Sequence, residues 1–170
     1  MVTFPFIRFA LRDAVLLAAT AGAWSLDASL RADGTAGTVA IAVAIFTGVL
    51  TTVSGFLCHE WGHLFGTWLG GGVAHAPKRL ASVFLFFFDV ERSSRRSFLS
   101  MSWGGYVASA VAGALIAALV PWQALSGRVA LGLTFVGVAV TFALEVPTTL
   151  RVARGGRLPQ GGVFIGEPPT

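Results

Sequence analysis

AGTVAIAVAIFTGVLTTVSGFLCHEWGH, residues 36–63, runs from Ala36 to Cys58 without a charge and then presents His59, Glu60 and His63 in one turn. Those 23 uncharged residues form a helix of about 35 Å, enough to cross a hydrocarbon core of about 30 Å. His59-Glu60-Trp61-Gly62-His63 is an HExxH motif. Residues four apart project from nearly the same helical face, so both imidazoles reach one metal ion. Glu60 lies about a third of a turn round from His59, where its carboxylate can hold an attacking water. The competing reading is a helix with two incidental histidines. The cost of ionisable groups in a membrane span tells against it.

The rest of the chain extends this reading. It has 170 residues, 55% of them hydrophobic and 12% charged, against about 25% charged in soluble domains. Its mean hydropathy is +0.76. Ser97–Gly127 and Val129–Leu144 are further uncharged runs. The chain is predicted to be a single membrane domain over 1–170, an all-α polytopic protein of about four transmembrane helices. The spans fall at about 14–30, 37–67, 101–122 and 129–147, followed by a cytoplasmic tail at 148–170. The first span is the weakest, because Asp27 ends its uncharged stretch. Arg8 and Arg12 precede it and Ala21-Gly22-Ala23 resembles a cleavage site, so a signal peptide competes with a retained helix. Asp13 at the apolar edge favours the retained helix. The second span, at about 45 Å, is longer than the bilayer core, which puts its histidines towards one end. Gly70, Gly71 and Gly72 then terminate it.

Charge sets the orientation. A pI near 10.6 could suggest nucleic-acid binding, but the bases form no single stripe and gather between spans, so that class is excluded. With the N-terminus inside, Arg8, Arg12, Lys78, Arg79, Arg92, Arg95, Arg96, Arg151, Arg154 and Arg157 are cytoplasmic. Arg31 and Arg128 alone are outside. The asymmetry predicts both termini in the cytoplasm. A single lysine beside many Ala, Gly and Arg residues points to a GC-rich bacterial source, hence a bacterial cell membrane. Cys58 is the lone cysteine, so no intramolecular disulfide is possible. It reads as apolar filler rather than a ligand.

Two features remain. Leu80–Phe88, LASVFLFFF, is too short to cross as a helix and reads as a membrane-embedded strand or hairpin near residues 80–91, lodged in protein or lining a cavity. Catalytic zinc takes three protein ligands, so HExxH needs a third. The soluble HExxHxxGxxH pattern fails, because Leu69 stands where its last histidine would be. Glu145, near the cytoplasmic end of the last span and without a base in that span, is the first candidate. His75 and Asp89 are the others. Glu145 could instead mark the membrane boundary and pair with Arg151. Gly105, Ser109 and Gly113, with Gly104 beside them, form a small-residue stripe suited to close helix packing.

HEWGH, then Ser102-Trp103-Gly104-Gly105-Tyr106, then Leu144-Glu145, occur in an order that resembles the site-2 protease family of intramembrane zinc metalloproteases, over roughly residues 37–150. The resemblance implies a minimal three-helix core, with an HExxH helix, a middle helix and a third helix carrying an acidic ligand. It also implies a β-hairpin between the first two, where LASVFLFFF falls. The chain departs from the family pattern in having no Gly-Pro or asparagine in the middle helix, Glu145 in place of aspartate, and Val146 in place of the following glycine. A glutamate ligand also occurs in the CaaX-protease type. The expected function is a zinc-dependent endopeptidase, with His59, His63 and Glu145 on Zn2+ and Glu60 catalytic. It would cut transmembrane segments of membrane proteins within the lipid bilayer. A non-catalytic module keeping the protease fold, or a metal-handling membrane protein, are the alternatives. The sequence names no substrate and no oligomeric state.

Overall fold

In a computed structural model of the chain, residues 6–165 are described. Four helices dominate: α1 (Ile7–Ala32), α2 (Thr38–Leu69), α3 (Arg95–Leu119) and α4 (Leu125–Ala153). Each is long and apolar enough to cross a membrane. Large apolar side chains such as Ile45, Phe46, Val111, Leu115, Phe135 and Val140 face outward. Water would not tolerate that much exposed apolar surface, and lipid does. The chain is an all-α polytopic membrane protein.

The helices are longer than the spans expected from the uncharged runs, because polar residues at their margins are satisfied inside the bundle. Asp13, placed before the first span, is buried in α1 and accepts from Arg12 Nε (2.7 Å) and Trp61 Nε1 (2.8 Å). Asp27, which appeared to close that span, is buried too, accepting from Arg31 Nε (3.0 Å) and Ser126 Oγ (2.8 Å). Thr20 and Trp24 of α1 hydrogen-bond Ser54 and Thr51 of α2. The first span is thus a packed member of the bundle. A capping box between Ser94 and Ser97 starts α3 six residues ahead of the expected 101.

α2 packs against each of the other helices. Its contact with α3 is made backbone to backbone. A Cβ on Gly62 would strike Ala108 and the Gly104 carbonyl, and one on Gly66 would strike the Ser100 carbonyl. Glycine at these positions lets the two helices approach closely.

Of the expected strand near 80–91, only β2 (Phe87–Asp89) is extended, and Leu80–Phe86 is irregular. Its partners come from elsewhere. β1 (Ala74–His75) pairs antiparallel with it, and β3 (Phe164–Ile165) pairs parallel, in the order β1-β2-β3. This corrects the tail expected at 148–170. α4 continues through Pro147 to Ala153, since a spanning helix tolerates proline when neighbours satisfy the freed carbonyl. Residues 164–165 then return to the sheet. Beneath it Phe9, Leu64, Leu85, Phe86, Phe88, Phe98, Met101 and Val152 form the core.

Arg8 donates to the Pro77 carbonyl, and Arg12 Nη1 to those of Leu80 and Ser82 (2.9 Å each). The start of α1, the 70–94 connection and β3 therefore share one end of the bundle. Ten of the twelve basic residues belong to that end, and Arg31 and Arg128 to the other.

Candidate metal centre

His59 and His63 lie ten and six residues before the end of α2, and Glu145 eight before the end of α4. At 1.5 Å per residue all three sit about 9–15 Å from the same end of the bundle. Their side chains meet. His59 Nε2 is 2.9 Å from His63 Nε2 and 3.2 Å from Glu145 Oε1, and His63 Nε2 is 3.4 Å from Glu145 Oε2. One ligand atom from each residue falls within 4.8 Å of the others.

The outer nitrogens define what the inner ones offer. His63 Nδ1 lies 2.9 Å from the Met101 carbonyl. A carbonyl only accepts, so Nδ1 carries the hydrogen and neutral His63 presents a lone pair at Nε2. His59 Nδ1, 3.1 Å from the Gly105 carbonyl and 2.8 Å from Ser109 Oγ, is under the same demand. Two lone pairs and a carboxylate thus converge, which is repulsive unless a positive charge lies among them. Glu145 Oε2 reports this directly: it is buried and has no hydrogen-bond partner. Two ligands about 2.1 Å from a tetrahedral zinc are about 3.4 Å apart, close to the separations found. The residues present fit a divalent metal with nitrogen and oxygen ligands.

Glu60 is buried beside this group. Its Oε2 accepts from the Leu85 N–H at 3.1 Å. A cavity of about 180 Å³ joins Glu60, His63 and Glu145 to Phe88, Phe98 and Phe164. Glu60 therefore faces both the triad and a space large enough for a substrate group. Tyr106 Oη hydrogen-bonds Thr149 Oγ1 at 2.8 Å, tying α3 to α4 one turn beyond Glu145.

The other two candidate ligands are placed together and apart from the centre. His75 Nε2 donates to Asp89 Oδ2 at 2.9 Å across β1 and β2. Asp89 is fully buried. Burial opposes its ionisation, but the bond from His75 and those from the N–H groups of Arg92 and Glu91 outweigh it and hold its carboxyl below the ordinary value. Glu145 pairs with the histidines rather than with Arg151. Cys58 is exposed and outside the site.

The stripe on α3 is divided in use. Gly105 lies against the His63 imidazole, where any Cβ would strike the ring, and Ser109 bonds His59. Gly113 faces open space. Sequence reading gave this stripe to helix packing and overlooked its role under the histidines. The four-residue spacing of Gly62, Gly66 and Gly70 on α2, the last read only as a helix end, marks the matching face that packs on α3, and Trp61 bonds Asp13. Met101 and Gly105 act through backbone carbonyls, for which no residue type is a signal.

No family model matches the chain, and no curated protein or solved structure is similar to it. The fold and the site by themselves define a multi-pass membrane protein in which two buried histidines meet a half-buried glutamate.

Proposed function

We propose that this protein is a zinc-dependent intramembrane endopeptidase of the site-2 protease kind, cutting transmembrane segments of other membrane proteins. The observation that carries the reading is the convergence of His59, His63 and Glu145 around an unpartnered carboxylate oxygen, with Glu60 lining the same cavity as His63 and Glu145. HEWGH on α2, a glycine-bearing α3 packed on it, and an acidic residue on α4 follow the family's order, and strands β1 and β2 fall between α2 and α3 in the chain. His59, His63 and Glu145 would hold the metal. When bound, it supplies Lewis-acid activation of water and of the peptide carbonyl.

The chain's own residues do the rest. Glu60, anchored through Oε2 by the Leu85 N–H, keeps Oε1 for the water's proton, which it takes as the water attacks and gives to the leaving amine. Ser109 and the Gly105 and Met101 carbonyls hold the two imidazoles in the tautomer that turns Nε2 inward. The aromatic walls exclude bulk water from the reacting groups. The basic end of the bundle is assigned to the cytoplasm, which puts the centre near the cytoplasmic face of a bacterial cell membrane.

The test is co-expression of wild type or Glu60→Gln with a panel of single-span membrane proteins, reading fragments cut within the span. Loss of the general base should cost about 10²–10⁴-fold in rate while zinc stays bound, because Glu60 is not a ligand. Equal cleavage by the two proteins would refute the mechanism. Silence from both across the panel, with zinc in both, would favour the non-catalytic module.

A further inference from the structure

The central strand of the small sheet has a neighbour on each edge, and the two edges differ. Ala74 and His75 of β1 take no part in the cavity at the metal centre, whereas Val163 and Phe164 line it together with Glu60, His63 and Glu145. On this inner edge Phe88 N–H donates to the Val163 carbonyl (2.8 Å) and Val90 N–H to the Ile165 carbonyl (2.9 Å). The far side of β3 is closed by its own turn, with Gly161 N–H on the Phe164 carbonyl (2.9 Å) and Phe164 N–H on the Gly161 carbonyl (3.1 Å). An incoming extended segment finds no free strand edge beside the centre while β3 is there.

β3 is also lightly held. Its two residues and Val163 are half-buried, while Phe88, which they cover, is fully buried. Its anchor is the Phe164 ring, 6.2 Å from Phe88 and 5.8 Å from Phe98 between centroids. Gly161 and Gly162 precede it with φ of 84° and 65°. These left-handed angles are open to glycine at little cost, so the turn can form and dissolve without strain.

We propose that β3 occupies in cis the edge of β2 that receives an extended peptide. An incoming segment of apolar–aromatic–apolar sequence, like Val163-Phe164-Ile165 itself, replaces it parallel to β2. Strand addition supplies main-chain hydrogen bonds, and the pocket reads alternate side chains. The chemistry of the pocket names the residue: an apolar cavity of about 150 Å³ accommodates a benzene ring, and here Phe88 and Phe98 already hold one. This inference rests on the endopeptidase reading only in taking the displacing segment to be the one that is cut.

Binding tests it without turnover. The proteins are Glu60→Gln in the full chain, the same chain ending at Gln160, and the full chain with Phe164→Asp. The probe is a fluorescent peptide Gly-Gly-Val-Phe-Ile-Gly-Glu or its Phe→Gly counterpart, read by anisotropy with and without chelator. If β3 fills the edge nine-tenths of the time or more, removing it lowers the apparent Kd at least about tenfold. Phe164→Asp, which drives a charge into the aromatic cavity, should do the same without shortening the chain. The Phe→Gly peptide should lose that gain. Equal affinity for all three proteins would overturn the proposal. So would loss of helical circular dichroism in both β3 variants, since a strand the bundle needs in order to fold is not a displaceable occupant. Peptide binding without cleavage by wild type would leave the edge standing and sink the endopeptidase. Cleavage indifferent to β3 would do the reverse.

Discussion

Gly105→Ala adds one methyl group, and the structure says what it meets. The Cβ would overlap Cε1, Nδ1 and Nε2 of His63. Retreat of α3 as a body would give up its close packing on α2, where Gly104 is seated against the Gly62 carbonyl. The ring must move instead, away from the Met101 carbonyl that orients it. Overpacking of this kind typically costs about 1–3 kcal/mol. If zinc binding has to restore the ring each time, affinity falls by about 5- to 150-fold, at 1.4 kcal/mol per factor of ten. The gain in helix propensity on replacing glycine, about 1 kcal/mol, works in the opposite sense on folding and leaves the zinc term untouched. Melting temperature and zinc affinity should therefore part company, with affinity losing far more. Gly113→Ala, eight residues along α3 in open space, is the matched control. The assay strips metal from purified protein and titrates zinc back against a chromogenic chelator. A Gly105→Ala affinity within twofold of the Gly113→Ala value would refute the placement of His63 against α3.

Zinc content should fall from about one per chain to near zero in Glu145→Ala by metal analysis, and stay near one in His75→Ala and Asp89→Ala. An empty site in His75→Ala alone would reverse the ligand assignment. Single cysteines at Gly34, Ser93 and Gly161 in a Cys58→Ser background should react with an impermeant reagent outside intact cells only at Gly34. Labelling of Ser93→Cys from outside would invert the orientation. Asp89 has its carboxyl held below the ordinary value in the folded chain, so its ionised carboxylate and the hydrogen bonds it accepts contribute stability above the ordinary carboxylate range, near pH 4. That stability is lost as pH falls through the depressed value. The melting-temperature gap between wild type and Asp89→Asn should be full at pH 7 and narrow below about pH 4; a gap unchanged between pH 7 and pH 3 would exclude a stabilising Asp89 carboxylate.

The sequence by itself determined the number of helices and their grouping at two ends, because the hydrocarbon core has a fixed thickness and any uncharged run that long must span it or be buried. HEWGH was legible because helical periodicity alone puts His59 and His63 on one face, whatever surrounds them. The shared depth of Glu145 and the histidines followed from the orientation set by the charges, which brings the ends of both spans to one side. Other features were decided only by tertiary packing. Asp13 and Asp27 read as span boundaries because a charge without its partner looks like a helix end, and Trp61 and Ser126 are far away in sequence. Whether Gly105 serves packing or a histidine depends on how α3 is rotated about its axis, which a repeat of small residues leaves open. Phe87–Asp89 looked like half of a local hairpin, yet its partners are Ala74–His75 and Phe164–Ile165. Strand pairing is set by backbone groups that every residue carries, so a three-residue strand holds almost no record of which distant segment will complete it.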